Sequence, residues 1–261
     1  MFLDEVLKEK RTRVKEWKSA TPVVQLKERI KDVEKRPFYS VFSKRGSKDV
    51  KVIAEVKKAS PSRGLLKSSF NLEALVSAYN EGGAAALSVI TEERFFLGSL
   101  DFLTTVRKLT KLPILRKDFI VDEYEIYQAK AYGADGILLI AEALEKTQLT
   151  DFTALAKDIG LDVLIEVHSL KSYEKLSGLK EFLLGINNRD LFSLKVDLSV
   201  SEEILKHIPQ QQIVVIESGI KDREDVERFV KLGVSNFLIG TNLVLSQDPA
   251  ALLKSLIGTL A

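Results

Sequence analysis

From residue 50 onward, short apolar runs alternate with longer stretches in which apolar side chains recur every three to four residues. The runs occupy 52–56, 86–90, 112–115, 136–140, 163–167, 182–187, 213–217 and 236–240, each bounded by Gly, Asp, Pro or Asn. Continuous apolar strands separated by helical patterns, such as 72–83 and 223–233, predict a parallel sheet covered by helices. Eight such units in 50–261 predict an α/β fold closed into a (β/α)8 barrel. A doubly wound open sheet is the alternative. It usually has fewer strands, and the chain contains no G-x-G-x-x-G or Walker loop.

Residues 1–49 read differently. Leu3, Val6, Leu7, Val14 and Trp17 share one face of a helix predicted over 3–19. A second helix is predicted to start at a Thr21 N-cap, with Pro22 in its first turn, and to stop before Pro37. Trp17 reads as a packing residue rather than a ligand-stacking one. The organisation expected is one domain over 1–261, with 1–49 as a helical extension of the barrel.

Composition narrows the function. With 45% hydrophobic and 29% charged residues, the chain is an ordinary globular one. It has no run near the ~18–20 apolar residues of a membrane helix, and its charged N-terminus lacks the apolar core of a signal peptide. A cytoplasmic protein without a membrane partner is expected. Having no cysteine and only His168 and His207, it offers no thiol nucleophile and no evident metal centre. Charge is uneven: residues 1–58 carry a net +8 and the rest a net −6. Because the basic residues interleave with acids at helical spacing and no nucleic-acid motif accompanies them, a basic segment lying on an acidic body is favoured over a nucleic-acid arm. A monomer is expected.

Barrel enzymes build their sites where strands run out into the following loops. The polar residues there are Glu55, Lys57 and Ser60 after the first strand, Lys117 after the third and Glu166 after the fifth. Asn187 and Arg189 follow the sixth strand, Glu217, Ser218 and Gly219 the seventh, and Gly240 and Thr241 the eighth. Side chains two apart on a strand share a face, so Glu55 with Lys57, Lys117 with Phe119, and Asn187 with Arg189 are predicted to point together into the barrel. One such pair is explicable as a structural salt bridge. Six charged groups converging on one end are not, because each buried charge costs several kcal/mol unless paired. Ser218-Gly219 and Gly240-Thr241 have the placement of a phosphate cradle, with glycines that admit an anion close to the backbone. The two lysines in one partly dry pocket are expected to depress each other's pKa, opposed by the carboxylates. His168 reads as structural, His207 as the basic end of a helix, and Arg223-Glu224-Asp225 as a helix start.

These residues bring a family into view. The segments AEVKKASPSRG (54–64), LPILRKDFIVDEYEI (112–126), LIEVH (164–168), LLGINNRDL (183–191), ESGI (217–220) and LIGTNLV (238–244) resemble indole-3-glycerol phosphate synthases, in order and through nearly every strand. The resemblance implies ring closure of 1-(2-carboxyphenylamino)-1-deoxyribulose 5-phosphate, with loss of carbon dioxide and water, and no cofactor or metal. It implies Lys117 as general acid, Glu166 handling protons in the dehydration, Lys57 as a charge-stabilising or second acid group and Glu55 orienting it. Arg189 would hold the anthranilate carboxylate, Asn187, Glu217 and Ser218 the sugar hydroxyls, and Ser60, Gly219, Gly240 and Thr241 the phosphate. Phe96, Phe119, Leu138, Leu191 and Leu238 would form the ring slot, and the basic N-terminal segment would help close the site. No fused further domain is expected. Two alternatives stand beside this reading. A related barrel sugar-phosphate isomerase works with Cys/Asp or Asp/Asp pairs where this chain has Lys and Glu, and a non-catalytic phosphate-binding barrel would bind without turnover.

Overall fold

The computed structural model describes residues 2–258. Eight parallel strands close into a barrel: β1 (Lys51–Val56), β2 (Ala86–Ile90), β3 (Ile114–Lys117), β4 (Gly136–Ile140), β5 (Asp162–Val167), β6 (Leu183–Asn187), β7 (Val214–Glu217) and β8 (Asn236–Ile239). Closure comes from β8 pairing with β1, with Lys51 opposite Asn236 and Ala54 opposite Ile239. The helices α3 (Leu72–Glu81), α4 (Leu100–Leu109), α5 (Glu123–Ala131), α6 (Lys146–Asp158), α7 (Leu170–Glu174), α8 (Ser199–Leu205) and α9 (Arg223–Lys231) follow successive strands. After β8 come α10 (Thr241–Leu245) and α11 (Pro249–Ile257).

Two apolar layers result from the strand alternation. Outward side chains such as Val52, Ala54, Leu87 and Val89 pack under the helices, while Ile53, Leu115, Leu138, Leu164 and Leu238 fill the barrel interior. The third strand starts at Ile114 rather than Leu112, Pro113 having no N–H for the ladder, and its pairing runs on through Arg116 to Lys117.

The N-terminal segment forms α1 (Phe2–Ala20) and α2 (Val23–Arg29). Pro22 sits outside α2 in an extended conformation (φ −58°, ψ 144°), so Thr21 does not cap it and the helix starts one residue late. It also ends early, passing through one 3-10 turn to Asp32 and then extending. Tertiary contacts override the helical pattern here. Asp135 accepts from the Arg36 N–H at 2.9 Å, and Asp162 accepts from the Phe38 and Tyr39 N–H groups at 3.1 and 2.8 Å. That extended stretch carries Phe38 and Phe42 under the barrel, their rings 5.1 Å apart, to complete the interior cluster from below. Gly136 makes room for Phe38, since a Cβ there would lie 2.9 Å from its ring. His207 lies beyond the end of α8, which stops at Leu205 before reaching it.

The apolar face of α1 contains a cation. Lys10, between Leu7 and Val14, is 4% exposed and reaches Asp118 at 3.0 Å and Glu125 at 2.9 Å. Arg116 completes the cluster, with Nη2 3.0 Å from Asp118 and Nε donating to Thr91 at 3.1 Å. Other basic residues of the segment also meet acids of the body, among them Lys18 with Asp122 and Lys35 with Asp162. No helix among the described residues is long and apolar enough to cross a membrane.

Phe38→Ala should cost about 3–5 kcal/mol, the range for emptying a buried aromatic site, measured by urea unfolding. A loss below about 1 kcal/mol would show that Phe38 does not close the barrel floor.

Candidate active site

At the C-terminal mouth of the strands lies a cavity of about 530 Å³. It is lined by Glu55, Lys57, Ser60, Phe96, Lys117, Phe119, Leu138, Glu166, Asn187, Arg189, Leu191, Glu217, Ser218, Gly219, Leu238, Gly240 and Thr241. Every residue singled out from the sequence is therefore brought to one pocket.

Lys117 stands at its centre. The ammonium is 3.0 Å from Glu166 Oε2 and 3.3 Å from Glu217 Oε2, and both carboxylates are nearly inaccessible to solvent. Burial alone pushes the Lys117 pKa down, but Glu166, Glu217 and Glu55 outweigh it and hold the ammonium above its ordinary value. The expected depression of Lys117 does not occur, because three carboxylates face it; Lys57 is itself engaged by Glu55 at 2.6 Å. The two glutamates separate in character. Burial pushes Glu166 up, yet Lys117 and His168 more than reverse this and bring it to about 2. Burial raises Glu217 well above the usual carboxylate range, only partly opposed by Lys117 and reinforced by the neighbouring Glu166. Two carboxylates beside one ammonium are thus driven apart, Glu166 toward its ionised form and Glu217 toward its protonated one.

Glycine makes this density of carboxylates possible. A Cβ at Gly185 in β6 would collide with Glu217 Oε1, and one at Gly240 with Glu55 Oε1. At the end of β7, Ser218 (φ +62°) and Gly219 (φ +92°) take two left-handed steps in succession. Glycine adopts that conformation freely, whereas serine there costs on the order of 1–3 kcal/mol, strain typical of a ligand-binding turn. The Ser60 hydroxyl is buried against the pocket with no protein partner. Arg189 donates to the Leu194 carbonyl at 2.8 Å, and burial lowers its pKa somewhat. The apolar wall includes Phe96 and Phe119, with ring centroids 6.4 Å apart. Buried Glu92 fixes the Phe96 loop by accepting the N–H groups of Arg94, Phe95 and Phe96 at 2.8–2.9 Å.

Some participants were not foreseen. Among the described residues of 1–49, Phe2 alone lines the cavity, its ring 6.4 Å from that of Phe119. The extension contributes an aromatic wall, and none of its described basic side chains lines the pocket. Arg63 and Lys221 add exposed cations to the rim. His168 lies directly behind Glu166, with Nε2 3.3 Å from Oε1. Its position two residues beyond Glu166, just past the end of β5, was the available signal, since alternation continued from the strand puts the two on one side.

A family description, "Indole-3-glycerol phosphate synthase", matches residues 3–256 of the chain. The chain belongs to the indole-3-glycerol phosphate synthase family. An indole-3-glycerol phosphate synthase of Alkaliphilus metalliredigens is 40% identical over 98% of both chains. One of Thermoanaerobacter pseudethanolicus is 42% identical over 92% of this chain and 91% of the relative. Among solved structures, a tryptophan synthase alpha subunit of Pyrococcus furiosus superposes with a TM-score of 0.60 at 16% identity, covering 82% of this chain and 98% of that one. That similarity concerns the barrel alone. The family match, over residues 3–256, includes the N-terminal extension.

The ion pair predicts a pH signature. Glu166 has its folded pKa below the unfolded value, so its contribution to stability is fully present above about pH 4.5 and is lost as pH falls toward about 2. Lys117→Met removes that contribution. The stability gap between wild type and variant should be largest near neutrality and shrink between about pH 4.5 and 2. Urea unfolding across this range reads it, and a gap independent of pH would contradict the pairing.

Proposed function

We propose that this chain closes 1-(2-carboxyphenylamino)-1-deoxyribulose 5-phosphate to indole-3-glycerol phosphate, releasing carbon dioxide and water. The observation that carries the proposal is a buried lysine clamped by two buried glutamates, in a cavity that also holds an apolar aromatic wall and a glycine-rich polar end. The substrate needs a ring slot, a cation for its carboxylate, a phosphate cradle and proton donors and acceptors along its carbon chain.

In this reading the anthranilate ring lies among Phe96, Phe119, Leu138, Leu191 and Leu238, with its carboxylate toward Arg189 and Lys57. The phosphate meets the Ser60 hydroxyl and the backbone at Gly219, Gly240 and Thr241, where the glycines carry no side chain of their own. Lys117 then faces the ketone. As the ring carbon attacks, negative charge grows on the ketone oxygen, which becomes a far stronger base than an amine. Even a lysine with a raised pKa gives up its proton to such an oxygen, and it does so only as the bond forms. The charge is stabilised in the transition state rather than in the ground state. Glu55 holds Lys57 in place for the carboxylate and for a second proton transfer. Ionised Glu166 takes and returns protons during dehydration, while Asn187, Ser218 and protonated Glu217 position the sugar hydroxyls.

The organisation we favour is one domain, 1–261, in which residues 1–49 extend the barrel. Its support is the buried Lys10 cluster and the Phe2 wall, which join the extension to the body and to the site. Because one chain supplies every lining residue, a monomer suffices for activity. The pairing of Lys10, Lys18 and Lys35 with acids of the body favours a docking charge over a nucleic-acid arm. A biosynthetic enzyme of this kind fits a cytoplasmic location.

Purified protein mixed with the substrate, without added metal, should generate indole fluorescence. Lys117→Ala should lose at least ~100-fold in kcat with KM within a few-fold, as expected for a positioned acid. Near-normal turnover in that variant would remove Lys117 from the role, and tight binding without product by the wild type would reduce the protein to a ligand-binding barrel.

A further inference from the structure

The reaction has a proton requirement that the pocket itself does not explain. The substrate carboxylate leaves as neutral carbon dioxide and the hydroxyl leaves as water, so each turnover consumes one proton while the phosphate keeps its charge. A site filled by substrate has no bulk water from which to draw it.

Behind Glu166, a chain of three side chains runs away from the cavity. The two Glu166 oxygens face different partners, Oε2 toward Lys117 at 3.0 Å and Oε1 toward His168 Nε2 at 3.3 Å. His168 has only 8% of its side chain exposed, and Nε2 lacks a hydrogen-bond partner because it is out of line with Oε1 in the resting geometry. On its other edge Nδ1 lies 3.1 Å from Glu142 Oε2, and Glu142 Oε1 accepts the His168 backbone N–H at 2.9 Å. Glu142 thereby fixes both ring and backbone. Since the Glu142 carboxylate can only accept, Nδ1 carries a proton, and Nε2 is left as the edge that exchanges. A bare Nε2 facing a bare Oε1 would set two lone pairs against each other, so one proton belongs between them.

We propose that His168 is the proton store behind Glu166, holding the proton that each turnover consumes, with Glu142 as its positioning residue. This rests on the reaction proposed above. In the step inferred, the Nε2–H bond breaks and an O–H bond forms on Glu166. That O–H then breaks as the proton joins the departing hydroxyl, whose C–O bond cleaves to give water. The cation left by C–O cleavage then loses its C–H proton, which returns to Lys117 in place of the one given to the ketone. Glu166 returns to carboxylate and His168 is left neutral with its proton on Nδ1. After product leaves, solvent in the open pocket recharges Nε2 by the reverse route through Glu166. The groups facing the imidazole are Glu142 after β4, Glu166 on β5, Lys117 on β3 and Asp190 after β6. Burial opposes the charged ring, but the two glutamates prevail and keep its pKa above the ordinary histidine value. The stored proton is lost as pH rises through that raised value.

The test compares wild type, His168→Gln and Glu142→Gln by kcat and KM across pH, with thermal unfolding as a check on folding. His168→Gln should lower kcat at neutral pH at least about tenfold with KM within a few-fold, and should abolish the alkaline decline of kcat. Glu142→Gln keeps the imidazole but removes one carboxylate that holds its charge, so the decline should move to lower pH. Wild-type kcat and an unaltered alkaline limb in His168→Gln would overturn the store. Should that variant not fold, an unshifted limb in Glu142→Gln would overturn it equally. Either result leaves the proposed reaction standing if the wild type still makes product, and absence of product from the wild type is the separate failure of that reaction.

Discussion

The site is organised around a single ammonium group that cannot lose its proton without leaving buried carboxylates unpaired. Lys117 sits 3.0 and 3.3 Å from two glutamates on strands β5 and β7. Burying any one of these charges alone would cost several kcal/mol, and together they offset one another only at these distances. Neighbouring residues follow from that constraint. Gly185 and Gly240 leave space for the flanking carboxylates, Glu55 occupies Lys57, and burial together with the neighbouring Glu166 pushes Glu217 toward its protonated form. Two carboxylates of one residue type are thus set apart by environment within one pocket.

A second buried cluster lies one residue away along the chain. Burial pushes the Asp118 carboxyl up, but Lys10 and Arg116 hold it well below the usual carboxylate range. Asp118 also accepts the N–H of Phe119 at 2.8 Å. The short segment bearing the central lysine and an aromatic wall of the slot is thereby tied to α1. The same helix brings Phe2 to the cavity, while the stretch after α2 places Phe38 beneath the barrel. Extension and barrel share one interior from floor to mouth.

The barrel and most of its site were legible because they depend on local periodicity. Two-residue alternation puts Glu55 with Lys57 and Lys117 with Phe119 on one face, and strand ends gather on one rim whatever the loops do. What escaped depends on partners distant in sequence. Lys10 lies in an apolar stripe and finds Asp118 108 residues later, so the stripe alone gives no reason for a cation. The second helix is cut short by Asp135 and Asp162, about a hundred residues away. His168 looked structural until Glu142 and Glu166 closed on either side of its ring. Lysine proximity suggested a depressed pKa for Lys117, but the balance turned on three carboxylates converging from different strands.

The most direct measurement follows the Lys117 ammonium itself. Nitrogen NMR of protein labelled with ¹⁵N at the lysine side chains, assigned by comparison with Lys117→Arg, reports the charge of Nζ as pH is raised. The account predicts that the Lys117 signal keeps its ammonium position after the exposed lysines have titrated near their ordinary value of about 10.4. A Lys117 Nζ that titrates with them, or earlier, would contradict it.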